Sequence, residues 1–427
     1  MAVKQLYPNQ RPILNLNFAR SKALDPRITF TRNSTATYVG SNGLIQTAAA
    51  HEARFDHDGN GNCRGLLIEE SRTNSIANSV VFSSGYGVSN FAATDNVAVA
   101  PDGTTTAASL METSSSGFHN FFRAEITTGA AANYAQSIFV KNNGRAYVNL
   151  RWLSLSVSNC WHTVTFALIG DGSITQEQSG SGANFTNISR SIEHIGNGWY
   201  RITLGATNPN ARIYPWILDG SDGPTPTLNS LYGVVSYTGD VTKGYYIWGA
   251  QVETGTFATS YIPTSGSTVT RSADVASMTG TNFSSWYNQS EGTLFVKSIN
   301  HGGSRAPFAL ALNTQNFPMV ELGENSSSTN AYVLRVFDTV GAQADITATV
   351  NAFGTSNSYA GAIKTNDFAV SVNGNTPLTD TSGNLVTTFN TLRIGRQWNS
   401  NTFTGTISRF AYYPTRLSDS QLEELTS

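Results

Sequence analysis

Hydrolysis of a glycosidic bond needs two carboxyl groups about 5 to 9.5 Å apart, one protonated and one ionised. The acids are therefore the first residues to place. Glu69 and Glu70 are adjacent, and adjacent side chains of a strand point to opposite faces. Glu193, Glu253 and Glu321 each stand alone, and no strand-like stretch carries two glutamates around an aspartate. Nucleophile chemistry finds no better footing: the chain has no G-x-S-x-G elbow, no H-E-x-x-H pair and no glycine-rich phosphate loop. The expectation is a protein that is not an enzyme and has no catalytic residues.

Metal chemistry has two possible footholds, both in one stretch. His51 and His57 bracket "HEARFDH", and "DHDGNGN" places Asp56, Asp58, Asn60 and Gly61 as in the first half of an EF-hand loop. The bidentate carboxylate due at the twelfth position is replaced by Leu67, and Glu69 falls two residues too late. Aspartate, asparagine and glycine are also what a tight hairpin turn requires. A turn and a solvated polar loop are expected, with no metal and no cofactor. Calcium binding by Asp56–Asn60 stays open at this point.

Sugar recognition is the chemistry the composition favours. Seven tryptophans and seventeen tyrosines can stack on sugar C–H faces while amides, acids and arginines bond the hydroxyls. Trp199 lies opposite Ile202 and Leu204 and beside Arg201; Trp152 follows Arg151, and Trp161 follows Cys160. Trp216 in "RIYPWILDG" and Trp398 in "RQWNSN" sit in polar, loop-like surroundings. These five are the glycan-binding candidates. Trp248, in register with Tyr246, Ala250 and Val252, is read as core, closing the sandwich at its last strand.

The elements that must position these residues are strands. "FAVSVNGN" sets Phe368, Val370 and Val372 on one face and ends in Asn373-Gly374, a hairpin signal. "YVNLRWLSLSV" alternates with a slip at Trp152-Leu153, as a bulge would produce. One helix is expected, at the C-terminus: Ser418 and Gln421 form a capping box, with Leu417 and Leu422 as its staple. The fold class expected is all-β, two tandem antiparallel sandwiches of jelly-roll type. Residues 1–80 form a loop-rich N-terminal leader, 81–264 the first sandwich and 265–427 the second. No heptads and no long repeats appear.

Composition bounds the partners. A chain of 427 residues exceeds what one core organises. Charged residues are 13%, against roughly 25% in an average soluble protein, so hydroxyls and amides must hold the surface in water. A net charge of −2 with no basic run argues against nucleic acid. No stretch reads as a signal peptide or a bilayer span, so no membrane insertion is expected. Cys63 and Cys160 are read as free thiols, which suits folding in a reducing cytoplasm.

These residues also carry a resemblance. "FTRNSTATYVGSNGLIQTAAAHEARFDHDGNGNCRGLLIEESRTNSIANS", residues 30–79, resembles a leader of tailed-bacteriophage virion proteins of tail-fibre and head-fibre type. "WGAQVETGTFATSYIPT", residues 248–264, is similar to the last strand and exit loop of the sandwich that follows that leader, which itself resembles the carbohydrate-binding modules of bacterial glycanases. "FAVSVNG", "LRIGR" and "GTISRFAYYPTRLSDSQLEEL" resemble the closing hairpins and helix of a concanavalin-like, laminin-G-type domain. The resemblance implies a virion structural protein, a fibre or spike component made in the host cytoplasm. It would be anchored by its leader, be homotrimeric, contact other virion proteins and adhere to host-surface glycans. A purely structural decoration protein and a polysaccharide depolymerase are the alternatives.

Overall fold

Alternation of apolar and polar side chains is realised as antiparallel strands throughout the chain. The computed structural model describes residues 10–123, 126–127, 132–182, 185–208, 212–302, 308–311, 317–324, 331–349, 354–386, 388–396 and 402–427. They form an all-β protein of two sandwiches.

In the middle sandwich, one sheet orders its strands Thr186–Gly196, Trp199–Asn208, Ala132–Asn143, Gly244–Thr254, Ala107–Glu112 and Phe91–Ala98. The opposing sheet runs Ser173–Ser179, Cys160–Ala167, Tyr147–Ser154, Arg212–Gly220, Asn120–Arg123 and Tyr86–Ser89, with Ile126–Thr127 beside Arg212–Gly220. Ile138, Val140, Ile202 and Leu204 from the first sheet meet Leu150, Trp152, Val164 and Phe166 from the second.

The terminal sandwich recruits the leader. Leu14–Leu16 and Cys63–Ile68 both pair with Thr404–Tyr413, and Arg54–His57 extends that sheet beyond Cys63–Ile68. Thr29–Thr31 adds to the opposite sheet through Val275–Thr279, and Arg72–Asn74 pairs with Val269–Arg271. Leu14, Leu16, Phe18, Leu66 and Ile68 thereby enter one core with Leu294, Val296, Leu322 and Tyr412. The leader is thus woven into the C-terminal sheets. Strands of three to six residues with one apolar face have no independent stability and must add to a sheet that exists.

Two local expectations are corrected. Tyr246 and Trp248 do not share a face with Ala250 and Val252: Gly249 adopts φ +63°. There the pairing with Ala132–Asn143 slips and the strand exchanges faces. Ala250 and Val252 enter the sandwich core, while Trp248 lies on the outside of its sheet against Phe139, Trp199 and Tyr261. In Tyr147–Ser154 the pairing with Arg212–Gly220 shifts between Asn149 and Arg151, not at Trp152-Leu153. Trp152 and Leu153 are simply both buried, on the two faces of a strand covered on both sides, and such strands read as continuous apolar runs.

The C-terminal helix, Asp419–Thr426, begins on its capping box: the Gln421 N–H donates to Ser418 Oγ, and the Ser418 N–H to Gln421 Oε1. Leu417, Leu422 and Leu425 cover Phe295, Ala360 and Tyr413 on the outer face of the sheet. Two four-residue helices, Phe18–Ser21 and Thr281–Ser284, join the one expected; each is a single turn at a strand connection. Ser418→Ala should cost about 0.5–2 kcal/mol, as loss of such a cap does. Urea unfolding checks this, and an unmoved midpoint would contradict it. Asn373 and Gly374 both adopt positive φ, 51° and 73°, and close the hairpin turn after Phe368–Val372 as expected.

Candidate functional site

Three of the five candidate tryptophans, Trp152, Trp161 and Trp199, are buried. Trp152 is 1% exposed within the middle core. Trp161 is 5% exposed; its Nε1 donates to the Ser230 carbonyl at 2.9 Å, and Gly233 lies against its ring. Trp199 is 2% exposed and donates to the Val99 carbonyl at 3.2 Å. None of the three presents a face to a sugar, because residues distant in sequence fold over each. Trp216 lies in the strand Arg212–Gly220, and Trp398 falls outside the described residues.

"DHDGNGN" is a hairpin turn. Asp58 Oδ1 accepts the N–H groups of Asn60 and Asn62, both at 2.9 Å, and Gly61 supplies φ +79°. Asp56 belongs to the strand before it, buried, and its Oδ1 accepts the Val39 N–H at 2.8 Å. Nearby, His57 Nδ1 meets the Val39 carbonyl at 3.0 Å. Among the described residues no cluster of three metal-ligating side chains occurs. Neither Cys63 nor Cys160 is in a disulfide.

What the fold builds is a cleft of about 450 Å³ where leader, middle sandwich and terminal sandwich meet. Its floor is the outer face of the strands Thr186–Gly196 and Trp199–Asn208, which carries Ser191, Glu193, Arg201 and Thr203. The leader contributes Tyr38, Asp56 and Arg64, the exit loop Phe257 and Tyr261, and the terminal sandwich His301. Volume and lining suit a small polar ligand.

A buried ionic clamp lies beside the cleft, with Glu69 in both. Arg54 Nη2 reaches Asp274 at 2.6 Å, and its Nη1 reaches Glu69 at 2.8 Å and the Thr37 carbonyl at 2.8 Å. Arg32 also binds Asp274, at 3.1 Å, and Arg271 binds Glu69, at 3.5 Å. The Ser260 N–H and hydroxyl both donate to Glu69, each at 2.6 Å. Burial alone would raise the Glu69 carboxyl; Arg271, Arg54 and the Ser260 donors hold it well below the carboxylate range instead. Leader, exit loop and linker are thereby tied at one point.

Within the cleft, acids that stand apart in the sequence converge. Arg64 Nη1 lies 3.9 Å from Asp56 Oδ2 and also pairs with Glu193 Oε1. Burial, then the charge of Glu193, pushes the Asp56 carboxyl up to about 7, against the Val39 N–H and Arg64. Burial lowers His301 from the ordinary histidine range. Asp56 can therefore hold or release a proton near neutrality, while Glu193 stays engaged with a guanidinium. Arg201 crosses Glu193 on the neighbouring strand and lies over the Phe139 ring at 5.4 Å. Its presence beside Trp199 was legible from the strand pattern. From the sequence Asp56 reads as a turn residue or calcium ligand, and Arg64 only as part of the leader.

No protein-family model matches the sequence, and no curated protein does. Among solved structures the chain is similar to the CBM40 module of Ruminococcus gnavus IT-sialidase bound to α2,3-sialyllactose. There the identity is 15% and the TM-score 0.29, over 33% of this chain and 84% of that one. It is also similar to domain 4 of AbnA, a GH43 extracellular arabinanase of Geobacillus stearothermophilus, in complex with arabinotriose. That match has 16% identity and a TM-score of 0.28, over 36% of this chain and 73% of that one. Mouse laminin α1 domains LG4-5 match at 8% identity and a TM-score of 0.25, over 81% of this chain and 93% of theirs.

Proposed function

We propose that the chain is a non-catalytic glycan-binding protein of a bacteriophage virion, a fibre or spike component that adheres to the host surface through the junction cleft. One observation carries the glycan reading. A cleft of about 450 Å³ interleaves hydroxyls, carboxyls and guanidiniums with Tyr38, Phe257 and Tyr261, the mixture of hydrogen-bonding groups and apolar faces that a sugar presents in return. The virion setting is supported by the resemblance of residues 30–79. Homotrimeric assembly with other virion proteins belongs to the same reading. One cleft per chain would bind weakly, and many copies on a particle would raise the avidity.

Glycan arrays and host-cell binding with the purified full chain test this. Saturable binding is expected, and Ser191→Trp, an exposed position at the cleft, should weaken it at least about tenfold by filling the space. Blank arrays would leave a decoration role instead, and binding indifferent to Ser191→Trp would mean that the glycan site lies outside the cleft. Convergence of Asp56 and Glu193 on Arg64 favours a second reading, a depolymerase. It would release reducing ends from a bound polysaccharide, and Asp56→Asn would abolish the release.

A further inference from the structure

Among the described residues, Arg201 has no carboxylate at ion-pair distance. Its Nη2 donates to Ser137 Oγ at 3.0 Å and to the Thr259 carbonyl at 2.5 Å. Nε is enclosed with no hydrogen-bond partner. The residue lines the cleft, and the hydrogen bonds it makes run through Nη2.

The neighbouring acids are all engaged elsewhere. Glu193 directs its carboxylate to Arg64. Glu69 is held by Arg54, Arg271 and Ser260. Glu253 accepts from the Thr259 N–H at 2.8 Å and the Thr259 hydroxyl at 3.2 Å. Asp56 bonds the Val39 N–H. Arg201 is half-buried, so its charge is only partly hydrated and no carboxylate at ion-pair distance offsets the loss. Burial accordingly lowers its affinity for its own proton, although the surrounding acids work the other way.

From this geometry we infer that the cleft selects sugars bearing a carboxylate, and that Arg201 Nη1 receives it. The inference rests on the glycan reading above and narrows it to one chemical class. A carboxylate supplies the missing charge and forms a charge-assisted hydrogen bond, which is roughly twice as strong as a neutral one. Ser191 and Thr203, whose hydroxyls lie 2.7 Å apart on the same floor, stand beside it for the neutral part of the sugar.

The experiment pairs acids with their neutral counterparts. Titration calorimetry of the full chain would use trigalacturonate against its carboxyl-reduced form, and sialyllactose against lactose. A sulfated galactose oligomer, as a further arm, separates carboxylate recognition from general anion attraction. At least one acidic member should bind about tenfold or more tighter than its neutral partner and than the sulfated probe. Arg201→Gln should erase that margin while leaving the melting temperature unchanged or higher, and Arg201→Lys should restore part of it.

Equal binding of acidic and neutral partners by the unaltered protein would overturn the inference and leave the glycan reading intact. So would a margin that survives Arg201→Gln, or one matched by the sulfated oligomer. Failure of every sugar to bind, in a protein that also gives blank arrays, would remove both. Should Arg201→Gln not fold, the comparison within the unaltered protein still decides the matter.

Discussion

Arg54→Ala should destabilise the protein by about 3–5 kcal/mol, the usual cost of removing one partner from a buried ion pair. Arg54 is fully buried, and its guanidinium serves two acids at once, Asp274 at 2.6 Å and Glu69 at 2.8 Å. Alanine would leave Asp274 to Arg32 alone, and Glu69 to the longer contact with Arg271 at 3.5 Å. It would also strip donors from the Thr37 carbonyl and Ser260 Oγ. These atoms come from the leader, the exit loop and the linker, so all three connections loosen together. Equilibrium urea unfolding of the full chain reads the loss. A double-mutant cycle with Asp274→Ala should return a coupling of about 1–3 kcal/mol, as residues in one network do. A loss below about 1 kcal/mol would mean that the clamp is only a weak surface-type pair. The clamp draws Arg32 and Thr37 from "TRNSTATY", Glu69 from "LLIEESRTN" and Ser260 from "TGTFATSYIPT".

Asp56→Asn should change how stability depends on pH. The Asp56 carboxyl titrates at about 7 in the folded protein, well above an unfolded aspartate near 4. Between these values the folded state holds a proton that the unfolded state has released, so stability falls as pH rises through that window. Three units correspond to about 4 kcal/mol at most, lost in full above pH 7. Glu69 acts in the opposite sense: its depressed carboxyl contributes stability above the ordinary glutamate range and loses it as pH falls further. Asparagine keeps an acceptor for the Val39 N–H and carries no charge at any pH. The variant should therefore lack the Asp56 share of the decline between about pH 4 and 7 and exceed the unaltered protein in stability at pH 8. Urea midpoints measured across that range test it, and parallel profiles for the two proteins would refute it.

Much of the fold was legible because its signals are local. Period-two alternation marked the strands, Asn373-Gly374 marked a turn, and Ser418 with Gln421 marked the start of the last helix. The site was far less legible. The face of Trp199 and Arg201 could be read from the core positions Tyr200, Ile202 and Leu204. What covers that face could not be read, and the cover decides everything. The leader and exit loop bury Trp199, while Arg201, two residues on, lines the cleft. Trp161 was misjudged for the same reason, since the loop Asn229–Gly233 that caps it lies far along the chain.

By itself the sequence determined an all-β protein with a low-charge exterior, a hairpin at "DHDGNGN" and a capped C-terminal helix. Each of these depends on neighbours within a few residues. Tertiary structure alone decided that the leader completes the terminal sandwich, that Asp56 and Glu193 share Arg64, and that Arg201 has no counterion among the described residues. Those outcomes depend on which distant segments share one low-dielectric junction, where a charge's partners and its distance from water set its energy. Spacing along a chain records neither.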